Sequence, residues 1–231
     1  MEASDGFQGF SKETVRFFRQ LKANNNRVWF ESHREIYENA VLAPSRAFIE
    51  AMGARLRTIV PKIVAVPKVN KSLFRLNRDT RFTLDPSPYK TNLGILFWEG
   101  NRPRMECPGF YFQLEPPEIM LGGGYYYFAD RALDRYRQAV VDPKLGPELG
   151  RIIAAIRKME GWELGGTHYK RVPRGFETDH PNAELLKHNG LYAGWEGPIP
   201  EEFFSSELIE FCYSRYARLL PLHRWLVNVF G

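Results

Sequence analysis

The 231-residue sequence predicts an α+β protein with N-terminal helices, a central mainly antiparallel sheet and C-terminal helices. Apolar residues recur at helical spacing before residue 61 and again after residue 130. Between these regions lie short segments that are rich in aromatic and β-branched residues and bounded by Pro or Gly. The later segments are joined by short connections, which favour antiparallel pairing. Helices and strands that are segregated along the chain are typical of an α+β fold rather than a doubly wound sheet.

The first sixty residues predict three helices after a frayed lead at residues 1–9. Ser11 can cap the first helix through its side-chain oxygen. The run of three asparagines that begins at Asn24 ends this helix and can cap the second. Pro44 suits the first turn of the third helix. The predicted helices run from Ser11 to about Lys22, from Arg27 to about Leu42, and from Pro44 to Pro61.

The remainder of the chain predicts strands first and helices afterwards. Predicted strands cover Leu73–Leu76, Thr91–Trp98, Phe110–Glu115 and Ile119–Phe128. Further elements are predicted as helices at 131–141 and 144–159, a loop at 165–180, a short helix at 181–188, a strand at 190–195, and a helix at 201–219 that Pro221 interrupts or ends. The sequence has no internal repeat and no linker long enough to divide it, so we expect one domain over residues 1–231.

Composition argues against several classes of protein. The sequence has no run of 18 apolar residues and no secretory signal, so we expect no membrane association. Cys107 and Cys212 are far apart and form no CxxC motif, which argues against a disulfide framework and a zinc site. The GxSxG and HExxH motifs of hydrolases and metalloproteases are missing from the sequence. We therefore expect a cytoplasmic protein with reduced thiols and no metal site.

The net charge of +5 originates in one segment of the chain. Between Lys68 and Arg104 there are eight basic and three acidic residues, whereas the rest of the chain carries 24 of each sign. Phe and Leu residues interleave with these charges, which distinguishes the segment from an ordinary solvated face. The segment is therefore the first candidate for a site that binds an anion.

The centre of this segment is FRLNRDTRF, in which Arg75, Arg78 and Arg81 surround a single aspartate, Asp79. We expect Arg75 to lie on a strand and the following residues to enter a turn. A guanidinium group stays charged and presents its donors in a fixed plane, which suits bidentate recognition of phosphate or carboxylate.

Two interpretations of this motif remain open. In the first, the arginines converge on a ligand, and Asp79 orients one of them or acts as a base. In the second, Asp79 neutralises its neighbours in a structural lattice, and Phe74 and Phe82 anchor that lattice in the core. The spacing of the residues does not decide between the two.

Six segments form a pattern that extends over nearly the whole chain. They are Asn24-Asn25-Asn26-Arg27-x-Trp29-Phe30, Lys71-Ser72-x-Phe74-Arg75-x-x-Arg78-Asp79-Thr80-Arg81-Phe82, Ser87-Pro88-Tyr89-Lys90-Thr91, Gly109-Phe-Tyr-Phe-Gln-Leu-Glu-Pro116, Gly122–Gly124, and Arg174-Gly-Phe-x-x-Asp179-His180-Pro181. This pattern resembles DUF2461, a family of uncharacterised proteins. The resemblance implies one full-length domain, and it implies no activity and no catalytic residue. Pro86 stands where the family often has a lysine, so this chain lacks one basic residue there.

Further polar residues are candidates for the same site. Gln113 and Glu115 share one face of a predicted strand, and this face is directed either toward the arginines or toward solvent. Lys71 and Lys90 lie in the basic segment. Arg174 belongs to a predicted loop, and loops commonly carry binding groups.

We therefore expect a protein that binds a phosphorylated or otherwise anionic small molecule. The residues expected to bind it are Arg75, Arg78, Arg81, Lys90, Lys71, Gln113 and Arg174. Asp79 and Glu115 are the candidate acid–base groups. The sequence assigns no reaction, no cofactor and no oligomeric state.

Two alternative functions compete with this one. A nucleic-acid-binding module is favoured by the interleaved basic and aromatic residues, and by three tyrosines at 125–127 that could stack on bases. The modest net charge and the lack of an RRM, KH or helix-turn-helix signature argue against it. The third hypothesis is an interaction protein whose arginines are structural.

Overall fold

Three helical regions precede the sheet, as predicted. The computed structural model describes residues 6–81 and 83–230. The helical elements are α1, Lys12–Ala23; α2, Arg27–Ser32; α3, Arg34–Ile36; a π-helix, Tyr37–Leu42; and α4, Ala43–Leu56. Ser11 caps α1 and Asn26 caps α2, each by accepting a hydrogen bond from a backbone N–H group. The second predicted helix is interrupted at His33, whose backbone leaves the helical conformation.

The residues before α1 lie closer to the core than predicted. Residues 1–5 of the predicted frayed lead are outside the described residues. Phe7 is buried, and its ring centre lies 5.4 Å from that of Phe10 and 5.2 Å from that of Phe48. The prediction of fraying is therefore wrong at Phe7, because an aromatic side chain packed in the core holds its backbone in place.

The π-helix is held by hydroxyl groups from two helices, α1 and α4. Thr14 Oγ1 donates to the carbonyl of Ala40 over 2.6 Å, and Ser45 Oγ donates to the carbonyl of Val41 over 2.6 Å. Both hydroxyl residues are fully buried. The spacing of backbone hydrogen bonds changes where a π-helix meets an α-helix, and side-chain donors can satisfy carbonyl groups at such a change.

A five-stranded antiparallel sheet follows, in the order β1-β2-β3-β5-β4. Its strands are β1, Leu93–Trp98; β2, Gly109–Glu115; β3, Glu118–Tyr125; β4, Trp162–Thr167; and β5, His188–Pro198. The predicted α+β fold, with an antiparallel sheet between helical regions, is confirmed.

The first predicted strand, Leu73–Leu76, does not form. Its first residue makes an isolated antiparallel bridge with Ile95, and Asn77 makes another with Tyr89. In a single antiparallel ladder the Leu73–Ile95 bridge would place Asn77 opposite Thr91 instead of Tyr89, so the residues between the two bridges do not follow one ladder. Arg75 therefore lies in irregular chain, and the prediction that places it on a strand is wrong.

β4 lies partly in a region for which the sequence predicts a loop. Gly165 and Gly166 argue against a strand in the sequence, because glycine is depleted in strands. The Tyr192 ring of β5 lies across Gly165, where a Cβ atom would come within 2.2 Å of the ring. The glycine thus marks a close approach between paired strands, and the pairing register shifts between Gly165 and Thr167.

The remaining helices lie between the strands and after them, and two, the 3₁₀-helix at Arg104–Glu106 and the last helix, are absent from the prediction. These helices are a short 3₁₀-helix, Arg104–Glu106; α5, Asp130–Val141; α6, Leu145–Ile156; two more 3₁₀-helices, Ala183–Lys187 and Glu201–Phe204; α7, Leu208–Arg218; and α8, Leu220–Phe230. Pro221 does not end the helical region, because it is the second residue of α8, where a helix needs no N–H donor. None of the helices in the described ranges is both long and apolar enough to span a bilayer.

The chain divides into two compact units, each made of three segments. The first unit comprises Met1–Phe97, Tyr111–Met120 and Gly197–Ser214, and the second comprises Trp98–Phe110, Leu121–Glu196 and Arg215–Gly231. Stacked and tilted phenylalanine rings form the core of the first unit: Phe10 lies 4.9 Å from Phe203, and Phe48 lies 5.0 Å from Phe112. The expectation of one domain stays a prediction.

The core of the second unit contains large aromatic side chains whose polar atoms are satisfied. The Tyr136 hydroxyl donates to the carbonyl of Leu185 over 2.9 Å, and Trp225 Nε1 donates to the carbonyl of Leu145 over 3.0 Å. Phe128 stacks on Tyr136 with ring centres 4.5 Å apart. Each buried polar group thus keeps the hydrogen bond that it would lose with water.

Two buried histidines also belong to the second unit. His223 Nε2 lies 2.8 Å from Glu99 Oε2, and His188 Nε2 lies 3.1 Å from Thr167 Oγ1. Burial lowers the pKa of both imidazoles, and for His223 the hydrogen bond with Glu99 opposes this effect only in part. Both rings are therefore mainly neutral at pH 7 in the folded protein.

We expect the Thr14→Val variant to be destabilised by about 1–3 kcal/mol, because it leaves the buried Ala40 carbonyl without its side-chain donor. The matched Thr14→Ser variant keeps the hydroxyl and loses only a methyl group, so it should cost less. Urea unfolding of the two variants and the wild type measures the difference. Equal costs for the two variants would show that the hydroxyl does not stabilise the π-helix.

We also expect the free energy of unfolding to fall as the pH is lowered from 7.5 to 5.5. In the unfolded chain the histidines bind protons near their ordinary pKa of 6.5. In the folded state the pKa values of His188 and His223 are lower, so these two side chains stay neutral to a lower pH. Each excluded proton lowers stability by at most about 1.4 kcal/mol per pH unit. The His223→Gln variant, which keeps a donor for Glu99, should show a shallower slope in urea unfolding across this pH range. A slope equal to that of the wild type would refute this account.

Candidate ligand-binding cleft

One asparagine side chain brings two separated parts of the sequence pattern together. Asn25 Nδ2 donates to the Tyr89 carbonyl over 2.8 Å, and Asn25 Oδ1 accepts from the Tyr89 N–H over 3.1 Å. Asn25 lies between α1 and α2, whereas Tyr89 lies 64 residues later. Tyr89 also bridges to Asn77, within the arginine motif. The asparagine segment, the arginine motif and the Ser87–Thr91 segment therefore meet in the first unit.

A cavity of about 450 Å³ lies where these segments meet, and we refer to it as the cleft. The helical side contributes Arg27, Phe30, Glu31, Arg34, Tyr37 and Leu42, and the other side contributes Val69, Arg75, Leu76, Asn77 and Tyr89. Phe30, Leu76 and Tyr89 are buried and form an apolar floor. The arginines of the cleft are exposed, so the cleft combines an apolar floor with a charged rim.

A second cavity of about 300 Å³ adjoins the cleft. Its lining consists of Arg27, Asn77, Arg78, Thr80, Pro86 and Pro88. Arg27 and Asn77 line both cavities, so they form the boundary between the two. The smaller cavity presents guanidinium, amide and hydroxyl donors, and all of these suit an anion.

The positive charges of the cleft differ in how far they are neutralised. Arg34 donates from Nε and NH2 to both carboxylate oxygens of Glu31 over 2.7–2.9 Å, and these hydrogen bonds lower the pKa of Glu31. In residues 6–81 and 83–230, neither Arg27 nor Arg75 has a carboxylate oxygen within 4.0 Å. Arg75 makes only the smallest contribution to the lowered pKa of Asp79, which is consistent with its greater distance.

The other two arginines of the motif each have an aspartate partner. Arg81 donates from Nε and NH2 to Asp79 over 2.9 and 2.7 Å, and these hydrogen bonds lower the pKa of Asp79 to about 2. Arg78 donates to Asp85, and hydrogen bonds from Ser87 together with that from Arg78 lower the pKa of Asp85 to about 2. Both pairs are substantially exposed to solvent, so they differ from a buried lattice. Phe82, the second proposed anchor of that lattice, lies outside the described residues.

Tyr37 supplies a neutral hydroxyl group to the cleft. Its ring lies 5.5 Å from Phe17 and 5.4 Å from Phe30, measured between ring centres. Burial raises the pKa of Tyr37 to about 12, so the phenol keeps its proton at physiological pH. The hydroxyl can therefore donate a hydrogen bond to a ligand as well as accept one.

Gln113 and Glu115 take part in a half-buried polar network outside the cleft. Gln113 Oε1 accepts from Asn92 Nδ2 and from the Tyr111 hydroxyl, both over 2.9 Å, and Gln113 Nε2 donates to Glu115 over 3.3 Å. This strand face is thus neither fully solvated nor directed into the cleft. Lys90 also points elsewhere, with its Nζ atom 5.3 Å from the centre of the Phe74 ring.

The remaining predicted site residues lie at other places. Lys71 is exposed and lines neither cavity. Arg174 is exposed in a loop of the second unit. Of the three consecutive tyrosines, Tyr125 is buried, whereas Tyr126 and Tyr127 are 64% and 53% exposed. Within the described ranges, no group of three or more His, Cys, Asp or Glu side chains is arranged to hold a metal ion.

Arg27, Arg34 and Tyr37 are among the cleft residues that are missing from the site that the sequence predicts. Arg27 belongs to the asparagine segment of the six-segment pattern, which is a signal that could have selected it. Arg34 and Tyr37 lie outside that pattern and have no such signal. Their place in the cleft depends on tertiary contacts and on the π-helix that follows α3.

Comparison with known families agrees with the resemblance seen in the six segments. The chain matches the family described as "Conserved hypothetical protein (DUF2461)" over residues 13–225, and this range includes both sides of the cleft. A search of curated proteins gives no significant match. Because the family match covers nearly the whole sequence, the chain belongs to the DUF2461 family.

Proposed function

We propose that this protein binds a phosphorylated or other anionic small ligand in the cleft, between Arg27 and Arg75. The proposal rests on the charge of these two arginines. They come from separate parts of the chain and both line the cleft. Among the described residues, neither has a carboxylate oxygen within 4.0 Å. By contrast, each of Arg34, Arg78 and Arg81 has a carboxylate partner.

The surroundings of the two arginines favour a charged ligand further. Arg27 and Arg75 are exposed and therefore accessible, whereas the buried apolar floor beside them reduces the screening by water of their attraction for an anion. Arg78 and Thr80 of the adjoining cavity offer additional donors, which would contact a second anionic group of the same ligand. The proposed set thus keeps Arg75 and Arg78 from the sequence prediction and adds Arg27.

The proposal concerns binding and assigns no reaction. Asp79 and Glu115, the candidate acid–base groups, line neither cavity. Asp79 also has a pKa of about 2, because Arg81 holds its carboxylate, and such a group is a poor base near neutral pH.

A nucleic-acid-binding role is the second candidate, and the exposure of Tyr126 and Tyr127 in the second unit favours it. Exposed aromatic side chains can stack on the bases of single strands. For such binding, affinity should fall by about 0.7 log units per log unit of salt for each neutralised phosphate. Fluorescence anisotropy with a labelled oligonucleotide, recorded at about 20 and about 200 mM salt, measures this slope. Lack of binding at the lower salt concentration would eliminate this candidate.

For the lead proposal, we expect Arg27→Met and Arg75→Met each to weaken anion binding by about 10- to 100-fold. Each substitution removes a charge-assisted contact and keeps an unbranched apolar stem. Binding of phosphate, pyrophosphate, sulfate and nucleotides is measured by the rise in melting temperature that each produces, since a ligand of the native state stabilises it by mass action.

Arg151→Met provides the matched control, because Arg151 is an exposed arginine of α6 that lines neither cavity. This variant should retain the wild-type response to every anion. If no anion of the panel stabilises the wild type, or if Arg75→Met responds as the wild type does, the proposal is wrong.

A further inference from the structure

The cleft offers a ligand more than two cationic side chains. Phe30, Leu76 and Tyr89 are buried in its floor, and the Phe30 and Tyr89 rings lie 4.4 Å apart at an angle of 31°. An inorganic anion between Arg27 and Arg75 would fill only a small part of the cleft. The volume of the cleft, about 450 Å³, falls in the range of roughly 300–1,000 Å³ that is typical of sites for organic small molecules. A ligand with an apolar body therefore fits better than a bare anion.

The aromatic side chains are confined to the larger of the two cavities, whereas arginines line both. The aromatic residues Phe30, Tyr37 and Tyr89 line the larger cavity and are not part of the smaller one. Arg27 stands at the boundary, and Arg78 belongs to the smaller cavity alone. A ligand that follows this arrangement has a ring at one end and its negative charge toward the other.

Arg34 is placed to contact a ring rather than a phosphate. Glu31 holds its guanidinium through both carboxylate oxygens, so the charge of Arg34 is already neutralised. The guanidinium carbon lies 5.3 Å from the centre of the Phe30 ring. A guanidinium that is fixed in this way offers a flat face on which a planar ring can stack.

Tyr37 adds a group that can recognise the edge of such a ring. Its hydroxyl has no hydrogen-bond partner among the described residues, and it keeps its proton at physiological pH. A nitrogen or a carbonyl oxygen on a heterocyclic ring is a suitable partner for this hydroxyl. A purely hydrocarbon ring would leave it without one.

We infer that the ligand is a nucleoside phosphate, whose base occupies the larger cavity beside Phe30 and Arg34 and whose phosphate lies against Arg27 at the boundary with the smaller cavity. This inference rests on the proposed anion-binding function and adds the base as a second recognised group. The two can fail separately, because ligands that carry a phosphate without a base test only the first.

The test compares ligands on the full chain by titration calorimetry at one fixed salt concentration. The panel consists of AMP, GMP, CMP, UMP, ribose 5-phosphate and inorganic phosphate. We expect at least one of the nucleotides to bind about 10-fold more tightly than ribose 5-phosphate, because stacking of a base on aromatic and guanidinium groups adds to the contacts of the phosphate.

Two variants separate recognition of the base from recognition of the phosphate. The double variant Glu31→Gln/Arg34→Met, which removes both charges of the pair, and the single variant Tyr37→Phe should each weaken nucleotide binding by about 3- to 10-fold and leave the affinity for ribose 5-phosphate unchanged. Arg75→Met should weaken the binding of every phosphate-bearing ligand. Tyr37→Phe keeps the ring that packs on Phe17 and Phe30, so it is expected to fold, and the melting temperature without ligand checks this for each variant.

Each possible result either supports or overturns the inference that a nucleotide base is recognised. Equal affinity for ribose 5-phosphate and for all four nucleotides would overturn the inference and leave the anion site intact. The same conclusion would follow if neither the Glu31→Gln/Arg34→Met double variant nor Tyr37→Phe changed nucleotide affinity. If no member of the panel binds the wild type, or if Arg75→Met does not weaken the binding of any of them, the proposed function and the inference fail together.

Discussion

The pair of hydrogen bonds between the Asn25 side chain and the backbone of Tyr89 is the constraint on which the cleft depends. A carboxamide carries one acceptor and a donor side by side, so it can pair with a backbone N–H and C=O group as a neighbouring strand would. Tyr89 is thereby fixed against the helical side of the cleft. Its other neighbours then position the arginine motif, because Asn77 bridges to Tyr89 and the Arg78 N–H donates to the Pro88 carbonyl over 2.9 Å.

A second level of organisation is the distribution of acidic residues around the arginines. Glu31, Asp79 and Asp85 each accept hydrogen bonds from one arginine, and their pKa values are all lowered, so they remain ionised at physiological pH. Exposed pairs of this kind contribute little to stability. Their larger effect is electrostatic, since they offset three positive charges, whereas Arg27 and Arg75 have no carboxylate within 4.0 Å among the described residues.

The sequence was sufficient to predict local structure wherever a local signal determines it. The caps at Ser11 and Asn26, the antiparallel sheet and the α+β order depend on residue type and spacing, and the structure confirms them. β4 escaped prediction because Gly165 serves a contact with Tyr192, which lies 27 positions away in the sequence and cannot be inferred from composition. Of the two arginines, the sequence prediction included Arg75 among the ligand-binding residues and omitted Arg27.

The difference between Arg75 and Arg27 has a physical cause. Arg75 belongs to a segment of the sequence in which basic residues are concentrated. Arg27 is an isolated cation at the start of a short helix. Arg27 reaches the cleft because Asn25, two residues earlier, binds Tyr89, and a hydrogen bond over 64 residues leaves no trace in local periodicity. One charge pair is also not the nearest in sequence, since Arg78 pairs with Asp85 across a loop and not with its neighbour Asp79.

The π-helix contributes two side chains to the cleft at the cost of regular helical hydrogen bonding. An insertion of this kind rotates the residues that follow it relative to an unbroken α-helix, and such irregularities are frequent at functional sites. Tyr37 and Leu42, the first and last residues of the π-helix, both line the cleft. The carbonyl groups of Ala40 and Val41 are satisfied by hydroxyl donors from Thr14 and Ser45, which are fully buried. The π-helix, supported by two buried hydroxyl groups, is thus part of the wall of the cleft. It therefore couples the folding stability of the protein to the shape of the candidate site.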